Sequence, residues 1–202
     1  MEHLLAAVAG MELDNLKVEL DGPEVPIADG SCSAFVELLT AAGFRLQGRP
    51  RWEAAPTRPL RVEQDHSRID VYPAEETSLE CRVDLSGAGR GIQIFSWHRG
   101  KSFPRELAPA RTFGFLEEAA VLLEQGLIRG TALDNTVVLS GAAAISCGGL
   151  RFSDEFARHK TLDLLGDLFL LGGPLRARVV AARPGHALNH RIVRIIKEEI
   201  RS

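Results

Sequence analysis

Residues 158–168 read Arg158-His159-Lys160-Thr161-Leu162-Asp163-Leu164-Leu165-Gly166-Asp167-Leu168. On a helix, side chains four apart stack on one face, so His159, Asp163 and Asp167 form one polar stripe. Leu162, Leu164, Leu165, Leu168 and Phe169 flank it, which turns the stripe inward. Two carboxylates one turn apart repel by about 0.2–0.5 kcal/mol even when exposed, and burial makes unpaired charge far costlier. The stripe therefore needs a cation. A metal ion satisfies His159 and Asp163 together. An ordinary helix salt bridge is the plainer reading of the same spacing.

Other residues could complete such a site. Glu2-His3 opens a helical pattern. Neighbours on a helix point about 100° apart, so one can bind metal while the other leans over a bound water, as in HExxH. His186 follows the Pro184-Gly185 turn at the start of the last helix. The helix dipole disfavours its cationic form, and a carboxylate such as Asp167 would restore a proton affinity suited to a general acid; the alternative is a polar loop residue. Thr112 precedes Phe113-Gly114-Phe115, where its hydroxyl could cap a helix or donate to an oxyanion. His66, His98 and His190 have no partner at metal-ligand spacing. Cys147, among small residues, reads as a buried small hydrophobe. Arg45, Arg49, Arg51, Arg58 and Arg61 form a basic strip, facing solvent or a phosphate.

The elements that must position these groups follow from pattern and punctuation. An apolar helix starts at once after Met1, without a cap. Leu16 to Leu20 alternates like a half-buried strand, Pro26 to Gly30 is a turn, and Ser33 to Ala42 is a helix stopped by Gly43. Strands are expected at Leu60–Glu63, Arg68–Tyr72, Ser78–Leu85, Gly91–Trp97, Thr136–Leu139 and Arg176–Ala182. Helices are expected at Phe115–Gln125, Asp154–Leu171 and Ala187–Ile200, the last amphipathic through Leu188, Ile192, Ile195, Ile196 and Ile200. Strands grouped before helices predict a two-domain layered α+β sandwich with mostly antiparallel sheets. The Pro- and Arg-rich stretch from Gln47 to Pro59 marks the boundary between a first domain, residues 1–48, and a second, residues 49–202.

Composition narrows the class. The 202 residues carry 24 Lys+Arg against 27 Asp+Glu, a net charge of −3 that gives no general nucleic-acid field. No apolar run approaches the ~20 residues that cross a bilayer, and no signal peptide is evident. Three distant cysteines argue against a disulfide framework or a cysteine zinc cage. A monomer in a reducing cytoplasm is expected.

In this order, the pieces resemble the UDP-3-O-acyl-N-acetylglucosamine deacetylase family, zinc enzymes of lipid A biosynthesis. The resemblance rests on collinear segments: Glu2-His3-Leu4-Leu5-Ala6, Asp14-Asn15, Gly22-Pro23-Glu24-Val25-Pro26-Ile27, Asp29-Gly30-Ser31, Ala110-Arg111-Thr112-Phe113-Gly114, Leu150-Arg151-Phe152, Asp154-Glu155-Phe156, Arg158-His159-Lys160, Leu162-Asp163, Gly166-Asp167 and Gly185-His186-Ala187-Leu188-Asn189. It implies His3, His159 and Asp163 as Zn²⁺ ligands, Glu2 as general base and His186 as general acid. It further implies Thr112 as the hydroxyl beside the oxyanion and Asp167 as the carboxylate that orients His186. Lys160 would contact the substrate near its diphosphate, and Phe113 would line the sugar and acyl pocket. Leu116, Val121, Leu122, Leu127 and Ile128 fall where the family holds the acyl chain. The expected reaction removes the N-acetyl group of a UDP-linked, acylated glucosamine, releasing acetate and a free amine.

The sequence departs from the family at its start. Family members begin well upstream of Glu-His, and Met1 stands where they usually carry an apolar residue, often Val; a GUG codon taken as the start is one explanation. The complete protein is expected to be a deacetylase and the 202-residue chain inactive or nearly so, because Glu2 and His3 would hang from an unanchored terminus. Measurable zinc-dependent deacetylation by the purified chain would refute the latter. The alternative is a non-catalytic remnant that binds a UDP-sugar or lipid; near one zinc per chain supports the enzyme and none supports the remnant.

Overall fold

The computed structural model describes residues 1–118 and 132–201. Helix α1 spans Glu2–Gly10 and buries His3 with the small residues Ala6 and Ala7. Helix α2, Ser33–Ala42, ends at Gly43, whose φ of 76° only glycine adopts freely. The strands β1 (Leu60–Gln64), β2 (Ser67–Pro73), β3 (Ser78–Asp84) and β4 (Ile92–His98) follow. A single helical turn, α3 (Phe103–Glu106), leads to β5 (Phe113–Phe115), β6 (Val137–Ser140) and β7 (Ala143–Ile145). Helix α4 (Glu155–Leu168), β8 (Ala177–Ala182) and helix α5 (His186–Glu199) complete the described order.

The main sheet has the order β1-β2-β8-β3-β4. β8 lies between the two hairpins, antiparallel to β2 through Val71↔Val179 and parallel to β3 through Leu79↔Val179. Alternation sends Leu60, Val62, Ile69, Val71, Leu79, Cys81, Phe95, Trp97, Val179 and Ala181 to one buried face. α4 crosses that face over β3 and β4, and α5 crosses it over β1 and β2. The smaller sheet, β5-β6-β7, pairs β5 parallel and β7 antiparallel to β6.

Helix α4 is buried nearly all round, including Phe156, Leu162, Leu164 and the whole polar stripe. One side faces the sheet, and the other receives α1. Gly166 makes that second contact possible. A Cβ there would lie 2.1 Å from the Glu2 carbonyl oxygen and 3.1 Å from the Ala6 nitrogen, so the two helix backbones touch.

Most expected elements are present within a residue or two. Leu16–Leu20 is the exception: it forms no strand, and Leu16, Val18 and Leu20 are exposed. A strand exists only through the ladder it shares, and no described segment pairs with this one. The expected 154–171 helix changes to a 3₁₀ turn at Phe169–Leu171 before Gly172. Of the helix expected from Phe115 to Gln125, residues 119–125 lie outside the described residues, as do Val121, Leu122, Leu127 and Ile128. Leu116 is exposed. Cys147, expected to be buried, is exposed in the loop after β7; its small neighbours make a turn there rather than a core. Among the described residues, no helix is long and apolar enough to cross a membrane.

Gly166→Ala sets two effects against each other. Alanine favours the helix by about 1 kcal/mol, but overlap with the α1 backbone costs about 1–3 kcal/mol. Overlap at 2.1 Å wins, so the variant is expected to unfold at lower denaturant. An unchanged or raised midpoint would show that α1 is free to retreat.

Candidate metal centre

Three elements meet at one point. α1 supplies His3, α4 supplies His159 and Asp163, and the start of α5 supplies His186. His159 and Asp163 are 1% and 2% exposed. His159 Nε2 lies 3.3 Å from Asp163 Oδ1, and His3 Nε2 lies 3.7 Å from the same atom. The two imidazoles meet edge to face, with ring centroids 5.0 Å apart.

Asp163 Oδ1 is buried without a hydrogen-bond partner, although its other oxygen accepts Lys160 Nζ at 2.9 Å. Such an orphaned anionic oxygen is costly. It is relieved if an ion sits among His3, His159 and Asp163, each of which offers an atom within 4.8 Å of the others. Two imidazole nitrogens and one carboxylate oxygen are a donor set that leaves a divalent metal open coordination positions. His159 Nδ1 lies 3.1 Å from the Ala110 carbonyl oxygen, which can only accept. The ring therefore carries its proton on Nδ1 and turns a free Nε2 lone pair toward Asp163. Burial pushes the His159 pKa down to about 4, so the ring is neutral, as a ligand must be. Burial would raise the Asp163 pKa, but the Lys160 ammonium bonded to its Oδ2 holds it well below the carboxylate range.

A cavity of about 240 Å³ opens beside this point, lined by Glu2, His3, Thr112, His159, Lys160, Asp163 and His186, with the 24–27 segment as one wall. His186 Nε2 faces Glu2 Oε1 at 3.8 Å and Asp163 Oδ2 at 3.9 Å. Its Nδ1 donates to Asp167 Oδ2 at 2.8 Å. That bond, helped by the charges of Asp163, Asp167 and Glu2 and opposed by burial, raises the His186 pKa. Thr112 is followed by strand β5 rather than a helix, so its hydroxyl caps nothing; its main chain is fixed by Gly30 and Val137. Phe113 stands 6.4 Å from the His159 ring and 5.5 Å from Lys160 Nζ. His66 and His98 lie outside this cavity.

The polar stripe and the two distant histidines thus come together. Three contributors escaped the sequence reading. Asn189 is 1% exposed and donates to Asp167 Oδ2 at 2.8 Å, and His190 Nε2 lies 3.3 Å from Asp167 Oδ1. Their signal was available: positions 189 and 190 are three and four after His186, hence on its face of the helix. Cys32 donates its thiol to the His3 carbonyl at 3.0 Å, tying α1 to the start of α2. No local pattern announced that contact.

Asn189→Ala removes a buried donor to an anionic acceptor. The expected cost is about 1.5–3 kcal/mol, read as a lower denaturation midpoint at constant m. A loss below about 0.5 kcal/mol would mean that Asp167 is satisfied without it.

Comparison with known proteins accords with this geometry. The family model described as "UDP-3-O-acyl N-acetylglycosamine deacetylase" matches residues 1–198. A Myxococcus xanthus protein named UDP-3-O-acyl-N-acetylglucosamine deacetylase is 42% identical over 200 residues, covering 98% of this chain and 64% of its own length. Proteins of the same name from Nitratidesulfovibrio vulgaris and Bdellovibrio bacteriovorus are 41% and 40% identical, covering 98% and 97% of this chain and 64% and 65% of their own lengths. The chain spans just under two thirds of the relatives it matches. It belongs to the UDP-3-O-acyl N-acetylglycosamine deacetylase family.

Proposed function

We propose that this chain carries the catalytic centre of a zinc-dependent deacetylase acting on a UDP-3-O-acyl-N-acetylglucosamine in the early steps of lipid A biosynthesis. The observation that carries the reading is the convergence of His3, His159 and Asp163 around an orphaned carboxylate oxygen, with Glu2 and His186 facing one another across the same cavity.

His3, His159 and Asp163 would hold the ion, which when bound acidifies a water and polarises the substrate carbonyl. The remaining residues have distinct tasks. The Glu2 carboxylate takes the proton of the attacking water. The Thr112 hydroxyl donates to the acetyl oxygen as charge develops there. His186 delivers a proton to the amide nitrogen, because an amine leaves far more readily than its anion. Asp167 holds His186 Nδ1, so that Nε2 is the atom presented to the cavity. Lys160 offers a cation to the diphosphate and Phe113 an apolar wall to the sugar. The products are acetate and a free 2-amino sugar.

The division into residues 1–48 and 49–202 belongs to the same reading, supported by the exposed, irregular stretch at residues 43–50. A cytoplasmic setting is supported by three free cysteines and by a nucleotide-sugar substrate.

The test measures zinc content and acetate release on this chain and on a version extended upstream to the relatives' length. About one zinc per chain is expected in both, falling to near zero in Asp163→Ala. In the extended protein, Glu2→Gln is expected to retain zinc and to lose about 10²–10⁴-fold in kcat. A parent without zinc, or a zinc-loaded extended protein that releases no acetate, overturns the proposal.

A further inference from the structure

Glu155 stands one turn before His159 on α4 and is fully buried. The proposed reaction gives it no task, yet it is the most heavily bonded carboxylate beside the site. Its Oε1 accepts the Arg111 backbone N–H at 3.1 Å and Arg111 Nε at 2.9 Å. Its Oε2 accepts the Arg151 backbone N–H at 2.7 Å and Arg111 Nη2 at 3.3 Å. Arg111 also donates to the Cys147 and Gly149 carbonyls, at 3.3 and 2.6 Å.

The peptide group that joins Ala110 to Arg111 is one rigid plane. Its N–H is held by Glu155, and its C=O accepts His159 Nδ1 at 3.1 Å. The two ends of a single peptide are therefore gripped by two side chains four residues apart on one helix. We infer that Glu155 is a positioning residue for His159, acting through the Ala110–Arg111 peptide group. The inference deepens the metal-site reading and rests on it.

The physical content is twofold. Clamping both ends fixes where the carbonyl stands, and that carbonyl decides which His159 nitrogen keeps the proton. An anion on the N–H also polarises the peptide and makes its oxygen a stronger acceptor, which raises the donor strength of the ring's other nitrogen. A salt bridge serving stability alone needs only the guanidinium. Here the carboxylate also takes the main-chain N–H of the very peptide that His159 uses.

The test uses the full 202-residue chain and two variants. Glu155→Gln keeps the shape and removes the charge. R111M/E155L removes both buried charges, so that neither is left unpaired. Imidazole ¹⁵N NMR of the metal-free proteins reads the His159 tautomer, and competition with a fluorescent chelator reads zinc affinity. The parent is expected to show His159 protonated on Nδ1. Both variants are expected to lose that preference and to bind zinc about 10–100-fold more weakly. A folded double variant with a parent-like His159 signal, or with zinc affinity within about twofold of the parent, overturns the inference. A parent that binds no zinc sinks the metal reading, while the His159 signal still decides this one.

Discussion

The contact between the first helix and Glu155–Leu168 governs everything at the candidate centre. His3 and Glu2 reach Asp163 and His186 only because the α1 backbone rests on Gly166 with no side chain between them. The separations across this contact are 3.7 Å from His3 to Asp163 and 3.8 Å from Glu2 to His186. Function requires such groups to be held within about half an ångström. One methyl group at position 166 would consume that tolerance. The small faces of α1, at Ala6 and Ala7, serve the same close packing.

Around that contact, buried charge is balanced one group at a time. Asp167 receives His186, Asn189 and His190. Glu155 receives Arg111 and two backbone N–H groups. Asp163 receives Lys160 on one oxygen only. The contrast is informative, because Asp167 and Glu155 each accept on both oxygens, whereas Asp163 leaves one oxygen bare where two imidazoles converge. Under the proposed reading, that unmet buried acceptor is a ligand position.

Much of this was legible in the residues, and the reasons are local. The His159–Asp163–Asp167 stripe is a helix-period pattern, and Gly43 and Gly172 are stop signals that act within one turn. The strands of the main sheet alternate because one face is buried. What could not be read depended on distant partners. Leu16–Leu20 has the alternation of a strand, but pattern cannot supply a neighbour. The Cys32–His3 and Arg111–Glu155 contacts join residues 29 and 44 apart, between segments whose own periodicity says nothing about the other. β5 and β7, three residues each, are too short to carry a period. The collinear motifs bridged that gap for the site, since they carry the outcome of tertiary packing without its geometry.

The central place of β8 has a consequence for how the polypeptide comes off the ribosome. The ribbons β1–β2 and β3–β4 can each close early, but the strand that joins them is not made until residues 177–182 are synthesised. Until then both ribbons keep a sticky open margin, and intermolecular strand addition competes with native pairing. Helix α5, which carries His186, follows directly after β8. Nascent chains therefore spend most of their elongation unable to assemble the centre, and translational arrest before residue 177 would yield an aggregation-prone product rather than a partly working one.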